Sequence, residues 1–216
     1  MKKAIIAGAS GMVGGLVLQE CIDSNEISEV VSLVRKQKGK DHQKVKSVPV
    51  QDFTDYSSQI QLFKNVDIAF FCIGVYARQV SSEEFKKITI DYAVAFAQAL
   101  KTASPNARLC FLSGQGADRT EKSRMDFARF KGKAENEISD LKLGGFHSLR
   151  PSYIYPVQPR KEPGIMYKAF KLLYPIMQLT GAGSIKSTEL AKAMVNIGLN
   201  GASKEVLENK DILEYV

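Results

Sequence analysis

Short apolar runs alternate with segments of helical period along most of the chain. Lys3 to Ala7 reads as a first strand, and residues 12–23 follow as a helix with Val13, Val17, Leu18 and Cys21 on one face. Further strands are expected at residues 29–34, 45–50, 66–72, 108–112 and 146–149, with helices near 56–63, 82–102 and 123–141. Ser81 and Ser82 with Glu84 form a start signal for the long helix, whose core stripe carries Phe85, Ile88, Tyr92, Phe96 and Leu100. Near-continuous apolar strands separated by helices predict a doubly wound α/β fold, a parallel sheet covered on both faces.

Past Arg150 and Pro151 the pattern changes. Pro156, Pro159, Pro163 and Pro175 interrupt the chain, and helices are expected near 165–179 and 188–199. This stretch is too short for a second domain, so residues 1–216 read as one domain, with 151–216 as a short helical cap over the carboxyl ends of the strands. The length of 216 residues, 44% hydrophobic and 25% charged, suits one compact core and excludes disorder, collagen and coiled coil.

Thirty Lys and Arg against 23 Asp and Glu leave a formal charge of +7, which favours an anionic partner without selecting one. Cys21, Cys72 and Cys110 sit in apolar runs without C-x-x-C spacing, which points away from disulfides and zinc and towards a reducing compartment. His42 and His147 are the two histidines, and neither lies in a metal-ligating cluster, so no metal is expected. Lys2 and Lys3 before an apolar stretch imitate a secretory signal, but Gly8, Gly11, Gly14 and Gly15 recur through it at turn spacing. No later run reaches the roughly 20 residues that span a bilayer. The expectation is a cytoplasmic protein with no membrane partner.

Gly8-Ala9-Ser10-Gly11-Met12-Val13-Gly14 lies where the first strand gives way to the first helix. That is the place where a Rossmann fold holds a dinucleotide diphosphate on main-chain amides. Glycines at the first two positions permit a tight turn and close approach, and Gly14 lets the helix pack on the sheet. The second strand ends Leu33-Val34-Arg35-Lys36, with no acidic residue from 30 to 39. Arg35 suits a 2′-phosphate, so NADP(H) is expected rather than NAD(H), the alternative being a surface arginine at the start of a basic loop. Asp52, followed by Phe53, is placed either to accept from the adenine amino group or to cap the next helix.

These motifs, with Phe71-Cys72-Ile73-Gly74, Ser113-Gly114-Gln115-Gly116-Ala117-Asp118, Lys131-Gly132-Lys133-Ala134-Glu135, Arg150-Pro151 and Val206-Leu207-Glu208-Asn209-Lys210, resemble the atypical short-chain dehydrogenase/reductases over nearly the whole chain. The likeness is greatest to the branch containing the Tat-interacting oxidoreductase. The resemblance implies a Rossmann-like NADP(H) domain in which Cys72, Ile73 and Gly74 line the adenosine side. It also implies a catalytic serine before the catalytic helix, matched by Ser113 and expected at the reacting carbonyl or the carboxamide, and a Y-x-x-x-K pair in which the tyrosine protonates the substrate carbonyl. The lysine of that pair, which binds the nicotinamide ribose, is matched by Lys131.

The tyrosine position is Phe127, which carries no proton. General acid catalysis is worth about 10² to 10⁴ in rate, or roughly 3 to 5 kcal/mol of barrier, so ordinary carbonyl reduction is expected to be severely impaired. One reading keeps an oxidoreductase, acting on a flavin, a quinone, or a carbonyl with Tyr76, Tyr153 or Tyr155 as substitute acid, Tyr153 being favoured. A second is a regulatory module that binds NADPH and signals to a protein partner. A third, nucleic-acid binding through Arg119, Lys122, Arg124, Arg129, Lys131 and Lys133, is set aside because Glu121 and Asp126 interrupt the run and helical spacing spreads it around the axis. Homodimer and monomer both remain open.

Overall fold

The computed structural model describes residues 1–36, 42–77, 79–157 and 183–216. Its strands are β1 (Lys2–Ala7), β2 (Ile27–Val34), β3 (Val45–Pro49), β4 (Ile68–Phe71), β5 (Arg108–Leu112), β6 (Gly145–Arg150), β7 (Tyr153–Tyr155), β8 (Ser184–Lys186) and β9 (Val206–Glu208). The helices are α1 (Met12–Asp23), α2 (Ser82–Lys86), α3 (Tyr92–Ala103), α4 (Asp126–Asp140), α5 (Ser187–Asn200) and α6 (Asn209–Leu213), with a 3₁₀ turn at Ser57–Phe63. Seven strands form one sheet in the order β3-β2-β1-β4-β5-β6-β9, and every pairing is parallel. This is the Rossmann-like doubly wound α/β architecture expected from the alternation.

Strand alternation sorts the core into two layers. Ile5, Ala7, Phe71 and Phe111 face one side, where Phe63, Phe96 and Leu100 meet them. Ala4, Ile6, Ile68 and Phe70 face the other, against Val17, Leu18, Leu190 and Met194. The helix expected at 82–102 is continuous, but α2 passes into α3 through a π turn at Lys87–Asp91 that buries Thr89 and Ile90. The extra residue in such a turn shifts the buried stripe, a change that periodicity alone does not announce. Ser81 caps α2 as expected, its hydroxyl accepting from the Glu84 N–H at 3.1 Å.

The C-terminal stretch departs from expectation. Residues 183–216 do not form a cap over the strand ends: α5 packs beside α1 on the sheet face, burying Leu190, Ala191, Met194 and Ile197, and β9 adds a seventh strand beside β6. A three-residue strand leaves no apolar run to recognise, and an amphipathic helix reads the same whether it covers a sheet or a cleft. Among the described residues, only β7 and β8, paired as a separate two-stranded ribbon, stand apart from the main sheet. The helix expected at 165–179, with Pro159, Pro163 and Pro175, lies outside the described residues. Among the described residues, no helix is long and apolar enough to cross a membrane.

The seating of α5 is testable at Gly198. A Cβ there would lie 2.8 Å from both Ile68 Cγ2 and Phe70 Cζ on β4. Gly198→Val is expected to cost about 1 to 3 kcal/mol through overpacking, measured by urea unfolding, whereas a helix standing clear of the sheet would tolerate it.

Candidate functional site

The turn between β1 and α1 is forced by backbone contact. Gly8 sits at φ +94°, and a Cβ on it would lie 2.7 Å from the Cys72 carbonyl carbon. A Cβ on Gly14 would meet the Gly8 carbonyl oxygen at 2.3 Å. Gly11 is the N-cap of α1 and makes no side-chain cap bond, so the first-turn N–H groups are left without side-chain capping from that residue. The result is an amide-lined concavity at a helix N-terminus, suited to an anion.

From this turn a cleft of about 500 Å³ runs across the carboxyl ends of β1, β4 and β5, within the usual size range for small-molecule sites. Its described wall includes Gly11, Met12 and Val13, then Cys72, Ile73 and Gly74, then Ser113, Phe127 and Lys131, closed by Tyr153 and Ile154. Residues more than a hundred positions apart thus share one wall. Gly8 and Gly14 shape the turn without lining the cleft, and Ser10 is exposed beside it.

Arg35, Asp52 and Phe53 lie outside that wall. Arg35 is exposed just past β2, where Leu33 is in register with Ala7, so it stands one strand over from the glycine turn. Asp52 holds a local turn: its Oδ1 accepts from the Thr54 N–H at 2.8 Å and from the Thr54 hydroxyl at 2.7 Å. These bonds pull its carboxyl below the usual range. The Phe53 ring is buried against Tyr56 and Tyr92 at centroid distances of 6.3 and 5.6 Å. Of the three tyrosines considered, Tyr76 and Tyr153 line the cleft and Tyr155 does not.

The wall formed by β5 and α4 is electrostatically unusual. Lys131 is 7% exposed, donates to the Leu112 carbonyl at 2.8 Å, and sits 4.6 Å over the Phe111 ring. Burial pushes its pKa down to about 8, partly opposed by the negative charge of Glu135. Cys72 is also buried, which pushes its thiol up to about 12 and removes it as a ready thiolate.

Beneath the wall lies Glu135, fully buried, one helical turn beyond Lys131. It accepts from the hydroxyls of Ser113 (2.6 Å) and Ser148 (2.8 Å), from both Nε and Nη2 of Arg150, and from Arg119 Nε at 2.9 Å. Burial raises its pKa, but the bonds from Arg150, Ser113 and Ser148 outweigh that and leave it depressed. Arg150 also reaches Glu208, and Arg119 reaches Glu205, so the cluster extends to β9 and the residues just before it.

Sequence reasoning gave Glu135 no role, although its spacing of four from Lys131 on a helix placed both on one face. Gly114, present in the Ser113 motif, was likewise given no role. A Cβ at Gly114 would lie 2.6 Å from Phe127 Cζ, so Gly114 is the β5 neighbour that faces the tip of the Phe127 ring. Much of the basic run is engaged locally: Arg119 pairs with Glu135 and Glu205, Arg129 with Asp126, and Lys133 with Glu137.

Comparison with known proteins agrees with this geometry. Residues 4–124 match the model of the NAD dependent epimerase/dehydratase family. Protein HTATIP2 of Rattus norvegicus is 26% identical over 217 residues, covering 98% of this chain and 88% of the relative. The mitochondrial protein FMP52 of Debaryomyces hansenii is 29% identical over 203 residues, covering 90% and 86%. Among solved structures, Gre2 of Candida albicans in complex with NADPH superposes with a TM-score of 0.73 at 14% identity, covering 96% of this chain and 78% of that one. The Bordetella bronchiseptica enzyme WbmH in complex with NAD⁺ gives 0.71 at 17% identity, covering 96% and 75%. At these identities the structural likeness speaks for the fold.

The buried cluster carries a stability prediction. Glu135→Leu takes the buried partner from two guanidinium groups, leaving each only its more exposed carboxylate, and is expected to cost about 3 kcal/mol. The depressed carboxyl contributes stability above its unfolded pKa near 4.5 that is lost as pH falls through its lower folded value. Urea titrations from pH 6 downward should show that loss in the wild type and a shallower one in Glu135→Gln.

Proposed function

The chain belongs to the NAD dependent epimerase/dehydratase family, and on that premise we propose that it binds NADP(H) in this cleft as an atypical short-chain oxidoreductase. The observation that carries the reading is the meeting of the glycine turn with Lys131 and Phe127 on one wall. The turn fits a diphosphate, because side chains are shut out at Gly8 and Gly14, where a Cβ would lie 2.3 to 2.8 Å from backbone atoms, and Gly11 leaves the first-turn amides of α1 without a side-chain cap. Met12 and Val13 contribute first-turn amides, and Cys72, Ile73 and Gly74 line the next stretch. Arg35 takes the 2′-phosphate as a charge-assisted contact from the end of β2, and Lys131 takes the ribose of the nicotinamide half. Asp52 stays at the adenine end, where its turn leaves Oδ2 for the exocyclic amine; any contact from Phe53 is through its backbone.

When bound, the cofactor supplies a hydride. The chain's own contribution is to hold it, exclude water with Met12, Ile73, Phe127 and Ile154, and leave the acceptor without the usual tyrosine acid. Phe127 favours an acceptor such as a flavin or quinone, whose reduction does not depend on a proton from that position. Tyr153, which lines the same cleft, is the candidate donor for a carbonyl substrate. A second reading has its own support: Phe127 and Gly114 together place carbon against carbon where an acid is needed, which suits an NADPH-binding regulatory module that acts through a protein partner. NADPH oxidation assayed with flavins, quinones and aldehydes separates the two, since turnover with any of them excludes a purely regulatory role.

Two binding measurements test the assignment. Arg35→Asp is expected to weaken NADPH at least tenfold more than NADH in calorimetric titration, and equal losses would remove Arg35 from the 2′-phosphate site. Lys131 loses its proton as pH rises through about 8, so NADPH affinity should fall between pH 7 and 9 in the wild type. Lys131→Arg, whose guanidinium stays charged above pH 12, should show no such fall.

A further inference from the structure

Ser113 stands on the cleft wall, but its hydroxyl proton is already committed. The oxygen lies 2.6 Å from Glu135 Oε1. A carboxylate can only accept, and Glu135 is held ionised by Arg150, Arg119 and two hydroxyls. The proton on the Ser113 side of that bond therefore belongs to Ser113. A hydroxyl has one proton and two lone pairs, so what Ser113 offers the cleft is an acceptor. A substrate carbonyl is an acceptor as well, and the two cannot pair.

Sheet geometry indicates which ligand group arrives there. The diphosphate turn follows β1, and β5 is two strands away in the order β1-β4-β5. At 4.7 to 4.9 Å per strand, Ser113 stands about 10 Å from the diphosphate. Along an extended dinucleotide that distance reaches the nicotinamide half, whose ribose hydroxyls and carboxamide N–H₂ are all hydrogen-bond donors.

We propose that Ser113 holds the nicotinamide half of the cofactor as a hydrogen-bond acceptor, with Glu135 as the positioning residue that fixes its polarity, and that it does not polarise a substrate carbonyl. This rests on the NADP(H) reading above. Of the carbonyl and carboxamide roles expected for Ser113, it keeps the second and removes the first. Lys131 and Ser113 then work as a complementary pair, the ammonium donating to ribose oxygens and the serine accepting from a neighbouring donor. The group facing the ring tip of Phe127 is Gly114, which carries no side-chain donor. No serine or tyrosine acid is left at the position facing that ring.

The test uses two ligands on the full chain: NADPH and 2′-phosphoadenosine 5′-phosphate, which carries the adenine half alone. Ser113→Ala should weaken NADPH about tenfold, the usual cost of one such bond, and leave the fragment unchanged. Glu135→Gln should do the same, because its amide can donate to Ser113 and turn the serine proton towards ligand donors. A merely structural role for Glu135 predicts loss of both ligands together. Unchanged NADPH affinity in Ser113→Ala, measured on a variant whose unfolding midpoint shows it folded, overturns the proposal. Failure of the wild type to bind either ligand overturns the NADP(H) reading itself, an outcome distinct from selective failure in the variants.

Discussion

The carboxylate of Glu135 is the point on which the site's geometry converges. A charge with no exposed surface is tolerated only when paired and hydrogen-bonded, and Glu135 has two arginines and two hydroxyls. Those partners come from the carboxyl ends of β5 and β6, from the loop before α4, and, through Arg150, from the edge strand β9. Satisfying one carboxylate therefore fixes the relative position of α4 and three adjacent strands. Lys131, one turn earlier on the same helix, is carried to the cleft wall by that fixation.

The same constraint governs chemistry. Glu135 draws the proton of Ser113 inward and tempers the desolvation of Lys131. The wall thus presents one cation and one acceptor, flanked by apolar side chains. An arrangement of that kind favours holding a polar, anionic cofactor over donating protons to a substrate. Phe127, its ring tip against Gly114 where the tyrosine acid is expected, points the same way.

The stretch of the cleft lined by Tyr153 and Ile154 is organised by different means. Asn209, 3% exposed at the start of α6, accepts from the Ser152 N–H and donates to the Ser184 carbonyl, tying the starts of both strands of the β7-β8 ribbon to the C-terminal helix. Tyr153 and Ile154 take their places on the cleft from that ribbon. The C-terminal segment, which builds β9, α5 and α6, therefore supports the wall from behind.

Periodicity and turn chemistry, read from the residues alone, determined the parallel sheet, the bounds of α1 and β5, and the glycine turn, because these depend on local patterns of burial and on backbone sterics at Gly8 and Gly14. The departure at Phe127 was equally legible, since a residue's lack of a proton needs no coordinates. The burial of Phe53, the seating of α5 on the sheet, the seventh strand and the charge cluster around Glu135 were decided by tertiary packing. Each depends on partners far apart in the chain. The polarity of Ser113 is the clearest case, for its direction is set by a carboxylate 22 positions away, and no pattern in the sequence says which way a hydroxyl must turn.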